Sequence, residues 1–461
     1  MTTSATSRPR TIFARATPPG RGAVAIIRLS GPDTDAALGA LTPGRALPEP
    51  RLASLRRIAD PVSGRVIDEA LVLRFTAPAS YTGEDAAELQ LHGGPAVVAA
   101  VIEVLGRLPG LRPAEAGEFT RRAVLSGRMD LTAAEAVADL IAADTAGQAA
   151  QALAQLGGRL GRQVEGWRAR LIRAAAMIEA EIDFPDEEVP DGIALTVAPE
   201  LEAIATEFRT CLADGRSGER LREGVVVAVV GRPNAGKSSL VNALAGREIA
   251  IVTDRPGTTR DAIEVALDLD GVALTLIDTA GLRDTDDPIE QEGVRRARAR
   301  AAEADLRLVV IDPETTDPAQ AMAEAGVLPG DPIVFTRRDR LAGDAADRLR
   351  AEVAGDHPMV LVSCVTGAGM GDLATTLAGL AAGLTGGGEG AMITRARHRA
   401  ALDQAAVALD AAAAGLTHPL PMLELVAEDL RRACDALGRI TGRIDVEHLL
   451  DAIFREFCIG K

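Results

Sequence analysis

The sequence predicts a multidomain chain of α/β and α parts: an N-terminal α+β domain, a helical domain, and a doubly wound α/β domain inserted into the helical one. Three observations carry this. Short β-type runs fill the first 120 residues. An Ala-rich helical pattern takes over from residue 122. An all-apolar strand, Val225–Val230, then opens a series of buried strands separated by helical segments. At 461 residues the chain is long enough for two or three domains of ordinary size.

Val24–Leu29, Ala70–Phe75 and Ala87–Leu91 read as strands and Ala96–Leu108 as a helix, which makes residues 1–121 an α+β domain. Beyond it, apolar residues recur at 149, 153, 156, 160, 164, 167, 171, 174, 178 and 182. Steps of three and four predict one face of a single long helix, ended by Phe184-Pro185-Asp186. Trp167 lies on that stripe and reads as core. In residues 217–384, Ile263–Leu269 and Val272–Ile277 flank Asp270-Gly271, a hairpin signal. Leu308–Ile311, Ile333–Phe335 and Val360–Val362 are further buried strands, predicting a doubly wound sheet with helices on both faces. Gly383–Gly390 reads as a linker, after which helices resume at 391–413, 421–438 and 445–457. Economy of cores packs these on the helices before 216. Residues 122–216 and 391–461 then form one helical domain interrupted by the insertion.

Composition narrows the function classes. A net charge of -16 argues against coating nucleic acid along the whole surface, although local Arg clusters could still hold RNA. No apolar run reaches the ~18 residues of a membrane span. Met1 to Arg10 lacks the apolar core of a signal peptide, so the expectation is a soluble, cytoplasmic protein with no membrane role. Four cysteines without a close pair suggest neither a metal knuckle nor a disulfide framework. The chain holds only two lysines, Lys237 and Lys461, and two asparagines, Asn234 and Asn242. Where Lys or Asn survives a drift toward Arg, Ala and Gly, a specific chemical need is expected.

Gly231-Arg-Pro-Asn-Ala-Gly236-Lys237-Ser238 fits G-x-x-x-x-G-K-[ST] between a buried strand and a helix, the context that makes it a phosphate loop. Backbone N–H groups from Asn234 through Ala235, Gly236 and Ser239 face an anion at the helix N-terminus. Lys237 reaches the β- and γ-phosphates and Ser238 ligates Mg²⁺. Asp278-Thr-Ala-Gly281 ends a second strand; its Asp holds the Mg²⁺ shell through water and the Gly281 N–H senses the γ-phosphate. Gly257-Thr258-Thr259-Arg260 stands where switch I belongs, with Thr259 offering a hydroxyl to Mg²⁺. Thr336-Arg337-Arg338-Asp339 stands where N-K-x-D reads guanine. Asp339 accepts from N1–H and N2–H, but Thr and Arg replace Asn and Lys, and Ser363-Cys364-Val365 replaces S-A-x. The prediction is a Mg²⁺-dependent GTPase of the Ras-like type with a degraded base-reading half. Leu282 stands where some GTPases carry a water-orienting Gln, so either hydrolysis is slow or another group positions water.

Outside these motifs the residues resemble the MnmE (TrmE) family of tRNA modification GTPases. The resemblance rests on Arg21-Gly22-Ala-Val-Ala-Ile-Ile27-Arg28-Leu-Ser-Gly31, on Tyr81-Thr-Gly-Glu84-Asp85 with Glu88 and His92-Gly-Gly, and on Gly117-Glu-Phe-Thr120. Asp130-Leu131, Glu135-Ala-Val-Ala-Asp139 and the tail Phe457-Cys458-Ile-Gly-Lys461 extend it over nearly the whole chain. It implies an N-terminal folate-binding-type domain that also forms a homodimer, and an FAD-dependent MnmG-type partner subunit, giving a heterotetramer. Together they would place an aminomethyl or carboxymethylaminomethyl group at C5 of the wobble uridine of certain tRNAs. A 5-formyl- or methylene-type tetrahydrofolate derivative would supply the carbon. The resemblance makes Asn234, Thr253, Arg255 (through its carbonyl) and Thr258 a K⁺ site, with Asn234, Thr253, Thr258, Thr259, Asp278, Gly281 and Asp339 all in the GTP site. It makes Glu290 the water-orienting carboxylate, whereas the residues alone read it as a solvated helix-start acid. Arg28, Glu88, Arg128 and Lys461 fall at the folate positions, Arg128 in place of a more usual Lys; on the residues alone Arg28 and Glu88 are equally surface groups at strand ends. Cys458 is either a reactive thiol or inert, and His92 either lines the folate site or shapes a turn. In the tail, Phe457 and Ile459 are expected to anchor the end while Cys458 and Lys461 face a ligand.

Two other readings share the nucleotide domain. A GTP-dependent ribosome-assembly switch would add a basic RNA-binding module, and none is visible. A scaffold that binds GTP without turnover draws on Leu282 and the altered 336–339 turn.

Overall fold

The computed structural model describes residues 10–183, 196–214, 216–247, 249–251, 264–279, 295, 299–341, 348–349, 351, 353, 357–386, 391–444, 450, 453–454 and 457–460. These fall into two compact units, residues 1–138 with 437–461, and residues 139–436. The chain break at Phe184-Pro185-Asp186 lies outside the described residues.

The first unit is built on a six-stranded sheet: β1 (Thr11–Arg15), β2 (Val24–Ser30), β3 (Ser54–Ala59), β4 (Val66–Phe75), β5 (Ala86–His92) and β6 (Leu111–Pro113), in the order β3-β4-β5-β2-β1-β6. Neighbours are antiparallel except β1 and β6. The strands expected from the sequence are β2, β4 and β5. The others were missed because β6 has three residues, β3 is an edge strand with charged outward positions, and Thr11–Arg15 is too short for a period. Alternation sets the two faces. Ala25, Ile27 and Leu29 of β2 and Ala87, Leu89 and Leu91 of β5 pack with Leu38 and Leu41 of α1 (Thr34–Leu41) and Val101 and Leu105 of α2 (Pro95–Arg107). The opposite face carries Arg28 and Glu88, and it meets Phe119 of α3 (Glu118–Leu125) through Ile12 and Ala14.

The tail belongs to this unit. Phe454 and Phe457 lie 5.1 Å apart and pack with Leu131 and Ala134 of α4 (Leu131–Ala142). Ile459 pairs with Ala116 as an antiparallel bridge. Phe457 is therefore the anchor that was expected, but the Ile459 side chain is 65% exposed and holds the tail through its backbone instead.

In the second unit the stripe from 149 to 182 is two helices, α5 (Ala146–Leu156) and α6 (Arg159–Asp183). Gly158, at φ 79, ends the first turn path and restarts the second, a conformation that costs Gly little. Trp167 is 1% exposed, edge-on to Phe208 of α7 (Ala198–Ala213) at 4.9 Å, and its indole N–H donates to Glu207 at 2.6 Å. From the same helix, Arg209 reaches Asp410 at 2.9 Å.

The second sheet holds β7 (Val225–Val230), β8 (Glu264–Leu269), β9 (Val272–Asp278), β10 (Leu306–Ile311), β11 (Ile333–Phe335) and β12 (Met359–Leu361), in the order β12-β11-β10-β7-β9-β8. All neighbours are parallel except β8, which folds back on β9 through Asp270-Gly271, both at positive φ. After α8 (Ser217–Glu223), one face is covered by α9 (Lys237–Ala245) and α11 (Met370–Leu384), the other by α10 (Pro318–Ala325). The expected doubly wound sheet is thus present. Helices α12 (Ala396–Leu416) and α13 (Leu423–Thr441) follow. The chain enters and leaves the sheet side by side. Gln151 donates to the Gly218 carbonyl at 3.1 Å, Gln155 to that of Met392 at 2.8 Å, and Arg222 to that of Thr394 at 2.9 Å.

Glu118 of the first unit is held by two arginines and a backbone N–H. It accepts from Arg112, from Arg122 at 3.0 Å and from the Glu115 N–H at 2.9 Å. Burial alone would raise its pKa; the Arg112 bond, the backbone N–H and Arg122 outweigh burial and hold it below 4.5. A carboxylate depressed in the folded state contributes stability above its unfolded value and loses it as pH falls through the folded one. Glu118→Gln should lower the stability of this unit at pH 7 by about 3 kcal/mol. The gap to the wild type should close in urea titrations repeated at progressively lower pH below 4.5; a gap independent of pH would refute the charge-based account.

Candidate functional site

The phosphate loop sits at the C-terminal end of β7, with β10 on one side and β9 on the other, the switch point of the sheet. Gly231 has φ 147, and a Cβ there would stand 2.2 Å from the Val310 carbonyl oxygen, so no other residue lets the loop lie this close to β10. Gly236, at φ 98, turns the chain into α9. Asn234 also lies at positive φ, 64°, and is exposed at the rim. Ala235 is buried, and Ser238 and Ser239 are exposed.

A cavity of about 950 Å³ opens over this loop. Gly231, Asn234, Gly236, Lys237, Ser238 and Ser239 line one end and Thr336, Arg337, Asp339 and Cys364 the other. The sequence-predicted phosphate and base residues therefore share one cleft. Lys237 is 6% exposed and donates to the carbonyls of Gly231 at 2.7 Å and Arg232 at 2.8 Å. Burial lowers the pKa of its amine, while Asp278 pulls it back up. A phosphate entering the loop would supply the negative charge this buried ammonium otherwise obtains from carbonyl dipoles. Ser238 donates to Asp278, itself 2% exposed, at 2.5 Å. A hydroxyl and a carboxylate oxygen side by side are the hard donor set that suits Mg²⁺. Thr279 was missed by motif reading; its hydroxyl donates to the Val229 carbonyl at 2.6 Å and so ties the end of β9 to the end of β7.

At the other end, Thr336 is 3% exposed, and its hydroxyl lies 2.9 Å from the Ala235 carbonyl oxygen. The turn expected to be degraded is therefore bonded directly to the phosphate loop. Arg337, at φ 57, pairs with Asp312 at 2.9 Å. Asp339 is exposed, with its pKa lowered chiefly by the Ser363 hydroxyl against a small cost of burial. Cys364 lies beside it, half-buried, its thiol pushed up by burial and by Asp339. Thr253, Arg255, Thr258, Thr259, Gly281, Leu282 and Glu290 lie outside the described residues.

The four folate-position residues divide. Register opposes Arg28 to Glu88 across β2 and β5, and the guanidinium donates twice to Glu88 Oε1, at 3.0 and 2.8 Å. The rings of Tyr81 and Phe119 stand 5.5 and 5.7 Å from that guanidinium. Burial raises the Tyr81 phenol pKa despite its Thr120 hydrogen bond, so the ring stays neutral. Both Arg28 bonds land on one oxygen, which leaves Oε2 for another donor. Arg128 is exposed beside Gly83, and Lys461 lies outside the described residues. Cys458 is exposed. His92 pairs with Asp68 of β4 at 2.7 Å at the end of β5. Sequence reasoning missed the chain Ser30–Glu84–Arg122–Glu118 behind this face, because its members are far apart in sequence.

Fold and site together define a GTP-hydrolysing protein of the phosphate-loop type. Comparison with known proteins narrows this. A family model of the MnmE helical domain matches residues 131–458 and one of the GTP-binding protein TrmE N-terminus matches residues 11–128. The chain belongs to the MnmE family. It is 53% identical over 451 residues to the tRNA modification GTPase MnmE of Parvibaculum lavamentivorans, covering 98% of this chain and 100% of that one. Against the protein of the same name from Rhodospirillum rubrum it is 52% identical, covering 98% and 99%. Against that of Methylorubrum populi it is 51% identical, covering both chains fully.

Lys237→Ala should reduce single-turnover phosphate release by about 10²-fold or more, because the cavity loses the buried ammonium of the loop, whose other cation, Arg232, is turned away to Glu324. Near-normal release would remove the lysine from the site.

Proposed function

We propose that this protein couples GTP hydrolysis to modification of tRNA at C5 of the wobble uridine. With an FAD-dependent partner of the MnmG type it would install an aminomethyl or carboxymethylaminomethyl group, using a carbon from a tetrahydrofolate derivative. The observation that carries the proposal is the presence, in one chain, of the 231–238 loop over its cavity and of the Arg28–Glu88 pair beneath Tyr81. Relatives matched along their whole length are named tRNA modification GTPases. Residues 1–121 would bind the folate and hold a homodimer, 217–384 would be the GTPase, and 122–216 with 391–461 would pass motion between them.

The residues divide the work. Lys237 neutralises the β- and γ-phosphates, and Ser238 and Asp278 would hold Mg²⁺, directly and through water, with Thr259. Asp339 accepts from the guanine edge. Asn234, with Thr253, the Arg255 carbonyl and Thr258, would hold K⁺, and Glu290 would orient the attacking water while Gly281 senses the γ-phosphate. In the first unit, Arg28 holds Glu88 in place through Oε1, so that Oε2 can accept from a pterin N–H. Arg128 and Lys461 would meet the anionic end of the folate, and Cys458, exposed on an anchored tail, would face the same ligand. Among the described residues no helix is long and apolar enough to cross a membrane. A cytoplasmic site of action, where tRNA is, follows from the proposed substrate.

Mass spectrometry of wobble nucleosides from a deletion strain tests the core of this: the modified uridine should vanish and return with the wild-type gene, not with Lys237→Ala. Hydrolysis should be fast in K⁺ and slow in Na⁺ at equal ionic strength, by a factor within the ~10³–10⁵ that a cationic finger supplies elsewhere; equal rates would remove the K⁺ site. Cys458→Ser should keep K⁺-stimulated hydrolysis close to normal and abolish the modified nucleoside. Restoration of modified tRNA by that variant would make the thiol dispensable.

A further inference from the structure

The replacement of Asn by Thr at position 336 has a consequence for base recognition that the geometry makes specific. The Thr336 hydroxyl lies 2.9 Å from the Ala235 carbonyl oxygen and 3.3 Å from that of Ile311. Both neighbours are acceptors, and a hydroxyl has one proton. That proton is committed to the protein whichever carbonyl takes it. Two backbone donors of the turn are engaged as well. The N–H groups of Thr336 and Arg338 donate to the carbonyls of Ile311 and Val362, each at 3.0 Å. The Arg337 guanidinium is turned through its Nη1 toward Asp312 and Glu314. Asp339 differs: its carboxylate is an exposed acceptor on the cavity wall.

A guanine presents donors at N1 and N2 and acceptors at O6 and N7. We propose that Thr336 is a positioning residue that straps the base-reading turn to the phosphate loop, and that this site does not read purine N7. Selection of guanine then falls on the Asp339 carboxylate and the two N–H donors it accepts from. The inference rests on reading the cavity as the GTP site. In a turn with Asn at this position the amide has two protons, one for the loop carbonyl and one for N7; threonine keeps the first bond and gives up the second. The strap holds the two ends of the cavity at a fixed distance, so the phosphate and base contacts are set together.

Competition titration of wild-type protein with GTP, GDP and 7-deaza-GTP, in which N7 is a C–H, tests this without any variant. The 7-deaza analogue should bind within about twofold of GTP, because no donor is lost. Discrimination against it of about fivefold or more would overturn the proposal. Thr336→Asn should introduce discrimination of roughly 3–10-fold between the two triphosphates. Thr336→Val should weaken GTP, GDP and 7-deaza-GTP by one common factor; weakening of GTP alone would mean that the threonine reads N7 after all. Asp339→Asn separates the two levels of the argument. It should cut GTP affinity strongly, and unchanged affinity would overturn the site reading itself.

Discussion

The nucleotide-binding half depends on one constraint: a polyanion has to meet backbone N–H groups that no other part of the protein has claimed. The sheet provides them by ending β7, a largely buried inner strand, directly against β10. Parallel register sets Val309 beside Val230, which brings the Val310 carbonyl to the place a Cβ on Gly231 would occupy. The loop is therefore pressed onto the sheet rather than suspended above it. The remaining site residues hang from neighbouring strand ends and bond back to this one. Thr279 reaches the end of β7 and Thr336 reaches Ala235. Such bonds make the loop rigid before any ligand arrives, so less ordering entropy is lost on binding.

The first unit faces a different problem, the cost of keeping charge on a partly covered sheet face. An isolated ion there would lose more solvation than a single pair returns. The face answers with geometry fixed by strand register, Arg28 opposite Glu88, and with a second cluster around Glu118 in which two arginines share one acid. Arg122 extends that cluster to Glu84, and Ser30 closes it by donating to Glu84 at 2.7 Å. The tail completes the unit through Phe457 and the backbone of Ile459. An exposed thiol at Cys458 is thus carried between two fixed points rather than on a frayed end.

How far the sequence could be read follows from how local each signal is. The phosphate loop, Asp278 and the Asp270-Gly271 hairpin are contiguous patterns in which one residue type answers one backbone need, and the structure has them where they were expected. Trp167 and the strands of the second sheet were legible because long apolar runs or stripes leave few alternatives. The split of α5 from α6 was missed because the apolar period continues across Gly157 and Gly158; only the sign of φ at Gly158 reveals the break. The hydrogen bond of Thr336 to Ala235 joins residues 101 apart, and that of Arg122 to the Arg10 carbonyl joins residues 112 apart. No window over the sequence contains such pairs. The turn at 336–339 looked degraded because a motif compares residue names, whereas the fold requires only a proton for one carbonyl.

The Arg-rich composition becomes informative once geometry is added. Arginine serves where a planar fork has a planar partner, as at Glu88 and Glu118. Lys237 instead points between two carbonyls at 2.7 and 2.8 Å inside a closed loop, a place for a compact point charge and not for a guanidinium. Asn234 poses the harder case. Its positive φ is a conformation that asparagine tolerates well, which offers a backbone reason for its survival. Yet Arg51 and Arg337 occupy the same region at φ 64 and 57. In this chain the left-handed conformation alone has not kept arginine out. What arginine cannot replace is a neutral carbonyl oxygen on a side chain, and Asn234 holds one at the rim of the cavity that Lys237 lines from within. Backbone tolerance explains how asparagine fits there; the side-chain oxygen is what distinguishes it from the residue the chain uses elsewhere, and it is the group a monovalent cation beside the phosphates would need.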